Sequence, residues 1–549
     1  MEKTSKNFIE RLVDEDVKRK GIVEVVTRFP PEPNGHLHIG SAYAINISYS
    51  VAQHYNGKFN LRFDDTNPMK EDMEYVGSII EDLEWLGCDY HNEPYFGSDY
   101  SDQIYDYSIE LIKKGSAYVC DLTFEEMREY RGTLTETGKN SPYRERSVEE
   151  NLKLFESMRS GELDEGTSVL RAKIDMENPN LIMRDPIIYR ILKQEHYRSK
   201  DKWVIYPMYD FAHPIQDYIE GVTHSLCSNE FINHRPLYDW VLNELDLDRL
   251  KPRQIEFGRL NLTGVVTSKR YLRRLVESGS VDGWDDPRLP TIKGIRRKGI
   301  TKEAIFSFLD EIGIPKTPTT IDYKMLEYFV RQDLDLKVKA VMVVKDPLKV
   351  TITNFDEVLY VEGHNHPKLE EFGNREIPFT KDIYIERDDF CEEPPKKYKR
   401  LSPGAEVRLR HAFFIRCNEV VKDENGKIIE LLCTYDPATK SGSGFSERKP
   451  QGTIHWVSAT HSKPCVIREF DDIFLDEFNE EDFLEKINPA SKVEFENAYI
   501  EEAAARFIDE GEERFQFIRH GFFYNDPILS TSERYVFNRI VGQKVRFKK

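Results

Sequence analysis

Long apolar runs are missing from this chain of 549 residues. No stretch approaches the roughly 20 consecutive apolar residues of a membrane-spanning helix. The opening MEKTSKNFIERLVDEDVKRKG has none of the apolar core of a secretory leader. We therefore expect a cytoplasmic protein with no membrane partner. Cysteine is sparse. Cys88, Cys120, Cys227, Cys391, Cys417, Cys433 and Cys465 are scattered and form no C-x-x-C pair, which predicts reduced thiols and no structural zinc. Positive charge is also in short supply: the formal net charge is −19. Phosphate binding draws on lysine and arginine, so an RNA partner would have to be met by confined basic faces.

What the chain does contain is ample core material. Hydrophobic residues make up 39% and charged residues 32%, the balance of a folded globular protein, and the length calls for about three to five domains. Ile22 to Phe29, IVEVVTRF, reads as a strand stopped by Pro30-Pro31. The loop PEPNG follows, then a helix in SAYAINISYSVAQHYNG with Ser41 as its N-cap and Asn56-Gly57 as its exit. FNLRFDD and KEDMEYVGSIIEDLEWLG repeat the strand-to-helix order, with Met73, Val76, Ile80, Leu83 and Leu86 on one helical face and Gly87 closing it. Such alternation implies a parallel α/β sheet whose ligands sit beyond the carboxyl ends of its strands.

Residues 100–209 read as an insertion into that sheet, with Arg128, Arg131, Arg144 and Arg146 around TETGKNSPYRERS, and the strand-like WVIYPMYDFAHP is expected to return the chain towards the sheet. In TKEAIFSFLDEIG, Ile305, Phe308, Leu309 and Ile312 mark a helical face. From about Val338 the pattern alternates, with EVRLRHAFFIRC, an Asn425-Gly426 turn and IIELLCTYD forming a hairpin, so the C-terminal part should be β-barrel or sandwich. The division expected is 1–99 and 210–260 for a Rossmann-like catalytic domain, 100–209 for the insertion, 261–337 for a loop and helical subdomain, and 338–549 for two barrels.

Two loops carry chemistry. Pro31-Glu32-Pro33-Asn34-Gly35-His36-Leu37-His38-Ile39-Gly40 joins a strand to a helix, where backbone N–H groups and the helix dipole favour phosphate. Val266-Thr267-Ser268-Lys269-Arg270 is a basic loop able to neutralise a departing pyrophosphate. Either alone is weak; the two in this order are specific.

PPEPNGHLHIG resembles the "HIGH" signature, and VVTSKR the "KMSKS" loop, of class I aminoacyl-tRNA synthetases of the glutamine/glutamate group. NLRFDDTNP, RGTLTETGKNSPYRERSVEENL, LRAKIDM, YPMYDFAHPIQDYIEGVTHSLC, GWDDPRLPTIKGIRRKG, EVRLRHAFFIRC and HWVSATHS extend the resemblance to the glutaminyl branch nearly end to end. The resemblance implies a ligase that activates glutamine with ATP and magnesium. Glutamine then passes to the terminal ribose of tRNA(Gln), without a covalent enzyme intermediate, and the enzyme is expected to be monomeric. By motif, it implies His38, Ser268 and Lys269 as catalytic, with Glu32, Pro33, Asn34, Gly40, Ser41, Arg259 and Leu260 completing the ATP site. It further implies Arg28, Asp64, Tyr209, Cys227 and Gln254 around the amino acid, and Arg400, Gln516 and Arg519 at the anticodon. Glutamyl enzymes typically carry arginine where Cys227 stands. The C-terminal barrels also resemble the glutaminyl branch rather than the helical anticodon domain of bacterial glutamyl enzymes. Three residues depart from the usual pattern: Ser41 for a second histidine, Thr267 for methionine and Asn233 for aspartate. A barrel-bearing glutamyl enzyme and a silent RNA-binding paralogue are the alternatives, the latter opposed by His38, Asp64 and Lys269.

Overall fold

The computed structural model describes residues 6–69, 72–475 and 482–543. It divides into two compact units, Met1–Asn261 with Leu309–Ile321, and Leu262–Phe308 with Asp322–Lys549. Among the described residues no helix is long and apolar enough to cross a membrane.

The first unit opens with helix α1 (Phe8–Lys20), capped by Asn7 and ended at Gly21. Strand β1 (Val26–Phe29) follows. It is shorter than IVEVVTRF suggested, because Val23 stands in solvent and the register with β2 begins only at Val26. Helix α2 (Ile39–His54) starts three residues earlier than expected and is capped by His38 rather than Ser41. Strand β2 (Lys58–Phe63) pairs with β1 in parallel, Val26 opposite Lys58. Helix α3 (Met73–Leu86) ends at left-handed Gly87 as expected, but it buries Ile79 rather than Ile80, and Met73 is exposed. Strand β3 (Tyr95–Phe96) joins β2 in parallel.

An inserted layer comes next. Helix α4 (Ser101–Lys113), strand β4 (Ala117–Cys120), helices α5 (Phe124–Arg131) and α6 (Val148–Ser160), and strands β5 (Val169–Ala172), β6 (Ile187–Ile191) and β7 (Ile205–Pro207) form an antiparallel four-stranded sheet with its helices. They pack around Phe155, Leu170, Ile188 and Trp203. Of the four arginines noted in this layer, Arg144 is paired with Asp185 and Arg146 with Asp121. WVIYPMYDFAHP is not one strand: β7 takes three residues, and Tyr209 already opens helix α7 (Tyr209–Ile219).

Strand β8 (His224–Ser228), helix α8 (Arg235–Glu244) and strand β9 (Arg253–Phe257) follow, β8 and β9 forming a parallel pair. Thr223 joins the two halves, its N–H donating to the Val26 carbonyl at 2.9 Å while its hydroxyl accepts from the Val26 N–H at 2.8 Å. The parallel pair β8-β9 is thereby tied to the three-stranded parallel sheet β1-β2-β3.

The second unit holds the helices Lys269–Glu277, Ile292–Lys298 and Lys324–Leu334 and two mixed seven-stranded sheets. One sheet is made of strands lying between Pro347 and Ser458 and contains the expected hairpin, with Gly426 left-handed in its turn. The other is assembled from both sides of it, Lys339–Val341 and Val343–Val344 joining strands between Lys463 and Gly542.

Candidate active site and anticodon face

The ends of β1, β2, β8 and β9 open onto a cleft of about 390 Å3 in the first unit. Arg28, Glu32, Asp64, Tyr209 and Cys227, five residues named from sequence, line it together with Phe231 and Phe257. Gln254 does not. It is buried in β9 and donates to Glu256 and, at 3.4 Å, to the Phe231 carbonyl, so it braces a wall rather than facing the cleft.

Arg28 is 1% exposed, and nearly every donor it owns is occupied. Nε donates to Asp217 at 3.2 Å, Nη1 to the Leu226 carbonyl at 2.8 Å, and Nη2 lies 2.8 Å from both Ser225 Oγ and His213 Nε2. Arg62, on β2, donates to the same Asp217 oxygen and to Glu220, each at 2.8 Å. Burial alone would raise the Asp217 carboxyl, but the guanidiniums of Arg28 and Arg62 hold it well below its ordinary range. Burial pushes His213 down to about 3, so the ring between the two guanidiniums is neutral. The ionised Asp217 is thus shared by both guanidiniums, while burial pushes Glu220, the second carboxyl on Arg62, up to about 7. His213, Asp217 and Glu220 were missed from sequence, although their spacing along HPIQDYIEG puts polar groups on a single face of an otherwise buried helix.

Asp64 follows β2 and is 6% exposed. Its N–H donates to the Pro31 carbonyl and one oxygen accepts from Thr66 at 3.0 Å, which leaves the other oxygen for the cleft. Burial, with Arg62 opposing and Glu32 assisting, pushes its carboxyl up to about 6. The Tyr209 ring stacks on His213 at 4.9 Å. Cys227 is a thiol pushed up to about 12 by burial, hence neutral.

The first signature loop sits beside this cleft at the start of α2. His38 Nδ1 accepts from the Gly40 N–H at 3.0 Å, which puts the ring proton on Nε2 as a donor. Ser41 Oγ accepts from the His38 N–H at 3.4 Å, so Ser41 supports the cap from the first turn. Glu32 and Asn34 are hydrogen-bonded to each other, and Pro33 is buried with its carbonyl taken by the Asp72 N–H. Arg259 is half exposed and paired with Glu230, and Leu260 is buried. In the second unit, Ser268 precedes helix Lys269–Glu277, so Lys269 opens that helix rather than lying in a loop, and both are exposed.

The anticodon candidates also belong to the second unit. Gln516 is half-buried in strand Arg514–Phe517, and Arg400 and Arg519 are partly exposed and both pair with Asp389.

Residues 24–336 match the catalytic domain described as tRNA synthetases class I (E and Q), and residues 339–436 and 453–526 match the two anticodon-binding domains of that description. The chain belongs to the class I (E and Q) tRNA synthetases. Among its relatives within this group, a glutamine-tRNA ligase of Clostridium perfringens is 53% identical, covering 99% of each chain. One of Clostridioides difficile is 53% identical over 100% of this chain and 99% of its own. One of Actinobacillus succinogenes is 50% identical over 98% and 97%. Among solved structures, an E-type member, the glutamate-tRNA synthetase of Elizabethkingia anophelis, is 20% identical and covers 57% of this synthetase and 71% of its own chain, with a TM-score of 0.43.

Proposed function

We propose that this synthetase ligates glutamine to tRNA(Gln) at the cost of ATP. The glutamine carboxylate attacks the α-phosphorus of ATP, forming glutaminyl-adenylate and releasing pyrophosphate. A hydroxyl of the terminal ribose of tRNA then attacks the activated carbonyl, forming the ester and releasing AMP. The relatives named above support the assignment over their whole length.

The observation that carries the choice of amino acid is the charge balance of the cleft. Arg28 is ion-paired with Asp217, Cys227 is an uncharged thiol, and the charges that line the cleft beside them are the carboxylates of Asp64 and Glu32, the latter hydrogen-bonded to Asn34. A buried carboxylate needs a charged partner, whereas an amide needs only hydrogen bonds. A glutamine meets these terms: its ammonium goes to Asp64 and its neutral amide to the wall of Tyr209 and Cys227. A glutamate would bring a second negative charge beside Asp64 with no cation to spare.

His38 Nε2 and the amino end of α2 would hold the triphosphate, and Lys269 would neutralise the leaving pyrophosphate. The carboxylate on the first signature loop, Glu32, is engaged by Asn34. Magnesium would therefore be carried by the triphosphate rather than by a dedicated protein cage, as is usual for this ion, and when bound it would shield phosphate charge. Charging of tRNA(Gln) with labelled glutamine and, separately, labelled glutamate tests the proposal. Glutamine should be strongly preferred; a preference for glutamate would overturn it.

A further inference from the structure

Arg400 and Arg519 reach the same buried carboxylate from two separate turns of the chain. Arg519 donates through Nη1 and Nη2 to the two oxygens of Asp389 at 2.6 and 2.8 Å. Arg400 Nη1 lies 3.2 Å from Asp389 Oδ1 and donates to the Asp388 carbonyl at 2.9 Å. Asp389 is wholly buried in the turn after strand Asp382–Glu386 of one seven-stranded sheet, and Arg519 sits in a turn of the other. The Arg519 backbone is left-handed, with φ of 75°, a conformation that side-chain-bearing residues seldom adopt. The end-on grip leaves Nε of Arg519, and Nε and Nη2 of Arg400, uncommitted to the described protein.

A second row of groups stands behind. Arg519 Nη1 lies 3.3 Å from His455 Nδ1, and His455 Nε2 lies 3.4 Å from Glu386 Oε1, which also meets His520 Nε2 at 2.9 Å and the Lys345 N–H at 2.8 Å. Glu386, His455 and His520 could in principle surround a metal ion. A metal-bound histidine, however, turns its other ring N–H towards an acceptor, and here that nitrogen faces an arginine donor. The cluster is a hydrogen-bonded brace behind Arg519.

We propose that Asp389 is a positioning residue for anticodon recognition: a single buried carboxylate that fixes two guanidiniums in one mutual orientation, so that their remaining N–H groups meet base edges of exposed nucleotides. The proposal rests on the reading of Arg400 and Arg519 as anticodon contacts. Planar guanidinium forks discriminate between acceptor patterns only when their orientation is held. A carboxylate gripping two of them supplies that hold without touching RNA.

The test is aminoacylation of tRNA(Gln) transcripts, native and with each anticodon base replaced in turn, by Asp389→Asn, Asp389→Glu, Arg400→Ala and Arg519→Ala. For Asp389→Asn we expect the KM for native tRNA to rise about tenfold and the ratio of kcat/KM between native and anticodon-variant tRNAs to fall. The KM for glutamine and for ATP at saturating tRNA should hold. Asp389→Glu keeps the charge but shifts it by one methylene, and should lose discrimination while remaining folded, so the question stays answerable if the Asn variant does not fold. A general loss of folded enzyme would lower kcat for every tRNA and leave the ratio intact. Unchanged discrimination in both Asp389 variants, with discrimination lost in the arginine variants, overturns the role of Asp389 alone. Unchanged discrimination in the arginine variants overturns the reading beneath it. A rise in KM equal for every transcript would assign the arginines to phosphates and would also overturn the proposal.

Discussion

At Asp64 the requirements of binding and stability oppose each other. Its carboxyl is pushed up to about 6 by burial, above the ordinary value near 3.9. The stability that the neutral form contributes is therefore complete below about pH 4 and is lost as pH rises through about 6. Asp64→Asn should accordingly raise the free energy of unfolding at pH 8 by about 1–3 kcal/mol, read from denaturant titration, while raising the KM for glutamine about 10- to 100-fold. In the parent enzyme, kcat/KM for glutamine should be flat above pH 7 and decline below about 6 as Asp64 takes up a proton. A profile that is level down to pH 5 would remove Asp64 from ammonium binding. Asp64, Tyr209 and Cys227 were named from the family resemblance, and the structure brings all three to one cleft. The buried cluster of Arg62, His213, Asp217 and Glu220 was not, since it depends on which face α7 turns to β1 and β2.

At the scale of elements, the strand-loop-helix order was readable from proline stops, glycine exits and apolar spacing, whereas the ends of the elements were set by partners the sequence does not display. Gly57 illustrates this. Asn56-Gly57 marks the exit of α2, but the need for glycine comes from a Cβ there falling 1.9 Å from the Val25 carbonyl oxygen, where Lys58 begins its pairing. Gly57→Ala should cost about 2 kcal/mol or more, measured as a lowered denaturation midpoint. A neutral effect would mean that the α2-to-β2 turn relaxes freely. His38 shows the same principle: its imidazole holds the cap expected of Ser41, because the loop after Pro33 brings Nδ1 onto the Gly40 N–H. Lys269, at the head of its own helix, is assigned to transition-state charge. Lys269→Ala should slow adenylate formation about 100-fold with a much smaller change in tRNA affinity, and equal losses in the two would contradict that role.

Across the whole molecule, alternating strands announced β structure after Val338 but could not tell which strands share a sheet. One seven-stranded sheet is closed by segments on either side of the other, through long-range contacts centred on Glu501. Glu501 accepts from the Met342 N–H at 2.6 Å and from Arg375 at 2.7 and 3.0 Å, with both side chains buried. Removing one partner of such a pair leaves an uncompensated buried charge, so Glu501→Ala should destabilise the second unit by about 3–5 kcal/mol, seen as earlier exposure of its strands in hydrogen exchange. Protection equal to that of the parent would contradict this. The charge of −19 gave no sign of an RNA partner, because the basic groups assigned to recognition are few and held by local carboxylates. What the molecule does as a whole is to select one amino acid for one tRNA, and the account places that choice in the charge balance around Arg28, Asp217, Asp64 and Cys227. The most direct measurement is the ratio of kcat/KM for glutamine to that for glutamate, in the parent enzyme and in Cys227→Arg. The account predicts strong preference for glutamine in the parent and a ratio lowered at least tenfold in the variant, through poorer use of glutamine and better use of glutamate. A ratio that the added cation leaves unchanged would contradict it.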